Sequence, residues 1–126
     1  MIVIVDYGMG NLRSVQKAFE KIGTKALISS DPEIVMRGEK IVLPGVGAFQ
    51  ACMENLAQFN LIDPIREVIR QKKPFLGICM GLQVLFEESS EFGNCAGLGI
   101  IKGNVAGFKV SKKFKVPHMG WNRVRK

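Results

Sequence analysis

The sequence predicts an α/β fold built on an open, mostly parallel sheet with flanking helices. Short apolar runs alternate with stretches of helical periodicity along the first ninety or so residues. Capping and turn residues stand at the junctions between them. A buried apolar strand runs into a helix through a glycine-flanked bend, Gly77-Ile78-Cys79-Met80-Gly81-Leu82-Gln83.

Taken in order, Ile2–Asp6 reads as a continuous apolar strand. Gly8-Met9-Gly10 turns, Asn11 is placed to N-cap, and Leu12, Val15, Ala18, Phe19 and Ile22 recur at helical spacing before Gly23 ends the helix. Ala26–Ile28 is a second strand, and Ser30-Asp31 before Pro32 opens a short helix to Met36. Ile41-Val42-Leu43 is a third strand, running into Pro44-Gly45-Val46-Gly47-Ala48-Phe49. Helices are predicted over Ala51–Ala57 and, from Asp63-Pro64, through Ile65, Val68 and Ile69. Phe75–Ile78 is the fourth strand and Met80–Glu88 the helix that follows it. From Gly93 the texture changes to glycine-rich turns and short strands at Gly99–Ile101, Val105–Phe108 and Lys115–Val116, and Trp121–Lys126 alternates like an antiparallel strand. No repeat, low-complexity tract or linker divides the 126 residues, so a single domain over 1–126 is expected.

Composition narrows the function classes. A 47% hydrophobic content supports a real core, no apolar run approaches the ~18 residues of a membrane span, and the N-terminus lacks the basic region of a signal peptide. Cys52, Cys79 and Cys95 are odd in number and widely spaced, which favours a reducing, cytoplasmic setting over disulfides or a zinc site. No metal and no cofactor are expected. The net charge of +7 lies wholly in the last 26 residues, which carry eight Lys or Arg and no acid. This stretch lacks the aromatic interleaving of a base-stacking surface, so neither nucleic acid nor membrane is the expected partner.

Cys79 is the leading chemical residue. Its plain alternative is a buried structural cysteine. A packed junction does not require Gly77 and Gly81, however, whereas an exposed strand-to-helix elbow needs them so that backbone can approach backbone. The helix that follows turns its unpaired N–H groups towards the sulfur. Gln83, four residues on, shares a face with Cys79 and is either a partly buried helix residue or a substrate holder. The glycines of Pro44-Gly45-Val46-Gly47 free N–H groups to point inward. With the N–H of Met80 they form a candidate oxyanion hole, each such donor contributing about 3–4 kcal/mol; an ordinary turn is the alternative. Gly8-Met9-Gly10-Asn11-Leu12-Arg13 lacks the third glycine of a dinucleotide fingerprint, so a tight βα turn is preferred there. His118, the sole histidine, is either a base for Cys79 or, within Pro117-His118-Met119-Gly120-Trp121-Asn122, part of a contact surface.

The elbow resembles that of the class I glutamine amidotransferases. Asp6-Tyr7-Gly8-Met9-Gly10-Asn11, Pro44–Phe49 and Pro117–Asn122 are similar to signatures of one group within the class, the glutaminase subunits of imidazole glycerol phosphate synthase. The resemblance runs along the whole chain. It implies that Cys79 is the nucleophile attacking L-glutamine and that Val46, Gly47 and Met80 supply the oxyanion hole. It also implies that Gly47, Gln83 and Glu91 bind the substrate. Asn11, His118, Met119 and Trp121 match positions facing a cyclase partner, a (β/α)8 barrel forming a heterodimer, which uses the ammonia to make imidazole glycerol phosphate and AICAR in histidine biosynthesis. The family's catalytic His and Glu follow the last hexapeptide and are absent from these residues, so an N-terminal fragment or truncated glutaminase with incomplete C-terminal strands is expected. The competing expectations are a binding module that keeps the partner-facing surface without catalysis, another amidotransferase such as the pyridoxal phosphate glutaminase, and a redox-sensing cysteine domain.

Overall fold

A computed structural model describes all residues, 1–126. Four strands form an all-parallel sheet in the order β2-β1-β3-β4, where β1 is Ile2–Val5, β2 Ala26–Ser29, β3 Lys40–Gly45 and β4 Phe75–Cys79. The connections are helical: α1 Leu12–Lys21, α2 Pro32–Arg37, and α3 Phe49–Gln58 followed by α4 Ile62–Arg70. The caps act as the sequence indicates. Asn11 accepts from the Ser14 N–H at 3.3 Å, Asp31 accepts from the Glu33 N–H at 2.8 Å, and Pro32 occupies the first turn of α2.

Strand periodicity separates the two faces of the sheet. Val3, Val5, Ile41 and Leu43 join Val35, Leu56, Leu61, Ile65 and Val68 in the main core, where all nine are essentially inaccessible to solvent. The opposite face carries α1, none of whose residues is buried. Its apolar stripe, Val15, Ala18, Phe19 and Ile22, lines an open trough of about 420 Å³ with Ser14 and Ile78. Leu76 of the edge strand β4 is 50% exposed. An apolar, uncharged edge is a template for self-association. Leu76→Lys is therefore expected to raise the monomer fraction in size-exclusion chromatography while holding unfolding stability within about 0.5 kcal/mol.

Two expectations are corrected. The helix beginning at Met80 is a single turn, α5 Met80–Gln83, and residues 86–88, read as helix, belong to strand β5 Phe86–Ser89. A helix continuing to Glu88 would need the carbonyls of Val84 and Leu85 for its own ladder. Those carbonyls instead accept from Leu98 N at 2.8 Å and from Ile100 N and Ile101 N at 2.9 Å. Tertiary hydrogen bonds thus outcompete the local pattern. β5 centres a small sheet, antiparallel to β6 Cys95–Ala96 and parallel to β7 Ile101–Val105. This sheet is tied to α4 by the Arg66 guanidinium, which donates to the Leu98 carbonyl at 3.3 Å.

The second correction concerns the C-terminal stretch. Of the strand expected at Val105–Phe108 only Val105 is extended, as the last residue of β7; Lys115–Val116 and Trp121–Lys126 form no strands, and residues 106–126 run as exposed turns and irregular chain. A strand needs a neighbour to satisfy its N–H and C=O groups, and this segment lies against none. The strand expected at Gly99–Ile101 appears two residues later, as β7.

Candidate active site

Cys79 is the last residue of β4 and the hinge into α5. Its backbone lies at φ 55°, ψ −117°, a conformation that L residues rarely adopt, and its side chain is exposed. The strain is held by close packing on every side. A Cβ on Gly77 would come 2.7 Å from the Gly81 carbonyl oxygen and from Leu82 Cα. On Gly45 it would come 2.6 Å from the Tyr7 hydroxyl and 2.7 Å from Gly81 N. On Gly81 it would collide with the Leu43 carbonyl oxygen. The flanking glycines are thus required by backbone-to-backbone approach, as an exposed elbow demands.

The loops after three parallel strands meet at this C-terminal edge of the sheet. Cys79 pairs in register with Gly45, so the loop after β3 begins beside the thiol. A Cβ on Gly10 of the β1–α1 loop would come 3.2 Å from Pro44 Cβ, and one on Gly47 would come 3.4 Å from Met9 Cε. In open α/β sheets ligands bind at such a convergence of strand ends. Val46 and Gly47 are both exposed, and Gly47 sits at φ +83°, where glycine is favoured.

Two buried side chains beneath the loop escaped sequence reasoning. The Tyr7 hydroxyl donates to the Pro44 carbonyl at 2.7 Å, and the Cys52 thiol donates to the Val46 carbonyl at 3.4 Å. Asn55 Nδ2 in turn donates to the Tyr7 carbonyl at 2.9 Å. Burial pushes the Tyr7 phenol far above its ordinary range, with the neighbouring Cys52 and Cys79 thiols adding to the effect. Burial also raises the Cys52 thiol above its ordinary value. The available signal was position: a tyrosine ending an apolar strand and a cysteine six residues after Val46, one turn into the next helix.

Gln83 ends α5, and its Oε1 is buried with no hydrogen-bond partner, an acceptor left open within the fold. With α5 only one turn long, the electrostatic contribution expected at Cys79 reduces to the N–H groups of that turn. Glu91 is exposed on the connection between β5 and β6, its N–H hydrogen-bonded to the Ser89 hydroxyl at 3.3 Å. That connection, through Ser89, Phe92 and Gly93, faces Ala48, Phe49 and Gln50 across a cleft of about 120 Å³. The fold therefore brings the segments bearing Gly47 and Glu91 to opposite walls of one cleft.

It does not bring His118 to Cys79. His118 Nε2 lies 2.6 Å from Asn122 Nδ2 in the exposed C-terminal stretch. Met119 and Trp121 are almost wholly exposed there. Asn11 is exposed at the end of the β1–α1 loop, its side chain engaged as the α1 cap. No group of three or more His, Cys, Asp or Glu side chains is arranged to hold a metal ion.

With this geometry in hand, the comparisons with known proteins bear on one chemistry. The family profile described as "Glutamine amidotransferase class-I" matches residues 3–125. The "Imidazole glycerol phosphate synthase subunit HisH" of Geobacter sulfurreducens is 55% identical over 128 residues, covering 98% of this chain and 61% of that protein. The protein of the same name from Bacillus cereus strain G9842 is 49% identical, covering 100% of this chain and 59% of its own. The chain thus spans about three-fifths of the length of the curated relatives it matches. A solved structure titled "Crystal structure of glutamine amidotransferase" superposes with a TM-score of 0.70 at 18% identity, covering 83% of this chain and 55% of that one, and shares the fold.

Proposed function

This chain belongs to the class I glutamine amidotransferase family, and on that premise we propose that it is the nucleophile-bearing part of a glutaminase subunit of imidazole glycerol phosphate synthase. The observation that carries the reading is the exposed Cys79 thiol on a strained elbow, in register with the glycine loop after β3. The sulfur attacks the side-chain carbonyl carbon of L-glutamine. The resulting oxyanion is met by the N–H of Met80 and by those of Val46 and Gly47. Collapse breaks the C–N bond, the nitrogen takes a proton and leaves as ammonia, and water hydrolyses the thioester to glutamate.

In this reading Gly47, Gln83 and Glu91 hold the substrate, and residues 1–126 form one domain. Asn11, His118, Met119 and Trp121 face a cyclase partner with a (β/α)8 barrel. The exposed Met119 and Trp121 support that surface, since aromatic residues and Met are enriched in interfaces. The partner receives ammonia away from water, where it would become non-nucleophilic ammonium. No cofactor, nucleic acid or membrane takes part, and the setting is the cytoplasm. No helix is long and apolar enough to cross a membrane.

Proton transfer needs a base, and the one histidine of these residues is engaged elsewhere. Ammonia release from L-glutamine by residues 1–126 alone is therefore expected to stay near background, and rapid Cys79-dependent release would contradict the proton-transfer account. The substrate assignment is tested by protection. L-Glutamine is expected to slow iodoacetamide alkylation of Cys79, mapped by peptide mass, while D-glutamine and L-asparagine leave it unchanged. Equal alkylation in all three solutions would refute glutamine as the ligand.

A further inference from the structure

We propose that Tyr7 is a positioning residue for Cys79, its buried hydroxyl pinning the end of β3 beneath the elbow so that the thiol and the loop after β3 keep a fixed spacing. The inference rests on the glutaminase reading above and adds a residue to it. Tyr7 lies two residues past the end of β1 and is wholly buried. Its carbonyl accepts from Asn55 Nδ2 of α3 at 2.9 Å, and its hydroxyl donates to the carbonyl of the buried Pro44 at 2.7 Å. One residue thus ties the ends of β1 and β3 and the body of α3 together, at the sheet edge where Cys79 is exposed.

Gly45 shows what the hydroxyl holds in place. A Cβ on Gly45 would come 2.6 Å from the Tyr7 hydroxyl, 2.7 Å from Gly81 N and 2.9 Å from Met80 Cβ. The hydroxyl and the first turn of α5 therefore close on Gly45 together, and Gly45 is the residue in register with Cys79. Losing the hydroxyl opens a gap beside Gly45 and takes a donor from the Pro44 carbonyl. The end of β3 then has room to move away from the elbow. A strained backbone such as that of Cys79, at φ 55°, persists only where its surroundings hold it. Burial lifts the phenol far above its ordinary range, with the Cys52 and Cys79 thiols adding to the rise, so the hydroxyl stays protonated and able to donate.

The test compares two electrophiles on Cys79, followed by peptide mass. A glutamine-shaped chloromethyl ketone forms a C–S bond at its chloromethyl carbon, expels chloride and releases the thiol proton to buffer. It gains rate from being held between the thiol and the loop. Iodoacetamide alkylates the same sulfur, expelling iodide, without needing that spacing. Tyr7→Phe keeps the ring and deletes only the hydroxyl. It is expected to lower the chloroketone-to-iodoacetamide rate ratio about tenfold, a scale on which small misplacements of reacting groups are felt. Val35→Ala loosens the same core from α2 and is expected to leave the ratio unchanged. A ratio lowered by less than about threefold in Tyr7→Phe, or lowered equally by Val35→Ala, overturns the proposal. If Tyr7→Phe does not fold, the parent chain decides. Tyr7 is its only tyrosine, so a carbon-13 label at the tyrosine Cζ gives a single NMR signal. That signal is expected to move by more than its linewidth when Cys79 carries the chloroketone, and an unmoved signal overturns the proposal. A parent chain whose preference for the chloroketone is no greater than that of free cysteine would instead overturn the glutaminase reading.

Discussion

Gly81→Ala is expected to prevent this chain from folding, with a loss of stability on the order of 4 kcal/mol or more. The added methyl would occupy the position of the Leu43 carbonyl oxygen, in the middle of β3. β3 is held on one side by β1 and on the other by β4, so the carbonyl has nowhere to move without breaking a parallel ladder. Rotamer change offers no relief, because both colliding groups belong to the backbone or sit one bond from it. Urea unfolding followed by circular dichroism would show the loss. Gly107→Ala is the matched control, since a Cβ there meets nothing within 4 Å, and it is expected to change stability by no more than about 0.5 kcal/mol.

Cys79→Gly is expected to act in the opposite direction on stability while removing chemistry altogether. At φ 55°, ψ −117°, a non-glycine backbone stores about 1–3 kcal/mol of strain. Glycine relieves that strain at a cost of about 0.5–1 kcal/mol in extra unfolded-state freedom. The Cys79 side chain is exposed, so little packing is lost with it. The net gain is on the order of 1 kcal/mol, read as a rise of several degrees in the thermal midpoint. Cys79→Ala keeps the strain and is expected to leave the midpoint near that of the parent. In both variants alkylation by the glutamine-shaped chloroketone at this position vanishes. An unchanged midpoint in the glycine variant would mean that the elbow is not strained. Taken with Gly81→Ala, the pair separates two demands on the same turn: glycines where the backbones touch, and a strained cysteine where the thiol must be exposed.

The parallel sheet was legible because its strands are continuous apolar runs and its helices carry recognisable caps, Asn11 and Asp31 among them. The elbow was legible because Gly77 and Gly81 answer a steric requirement that spacing alone exposes. The end of α5 was not. Residues Val84 to Phe86 continue an apolar helical pattern, and the carbonyls that would extend the helix are captured by N–H groups more than ten residues further along. No local window contains that competition. Tyr7 and Cys52 were missed for a related reason. Each acts through one hydrogen bond to a carbonyl at or just past the end of β3, and a composition-based reading of a buried tyrosine or cysteine sees only packing. The C-terminal stretch reads as strands because its residues alternate, yet alternation describes a surface that pairing must complete, and residues 106–126 pair with nothing within this chain.

In the proposed glutaminase the exposed Cys79 thiol, the N–H of Met80 and the glycine loop after β3 surround a single reacting carbonyl. A crystal structure of the chain after reaction with the glutamine-shaped chloroketone tests it most directly. The expected result is a C–S bond to Cys79, with the ketone oxygen about 2.7–3.1 Å from Met80 N and from a loop N–H at Val46 or Gly47. The glutamine-like end is expected in the cleft between Ala48–Gln50 and Ser89–Gly93. An adduct on Cys95 or Cys52, or a Cys79 adduct whose oxygen faces solvent away from both donors, would contradict it.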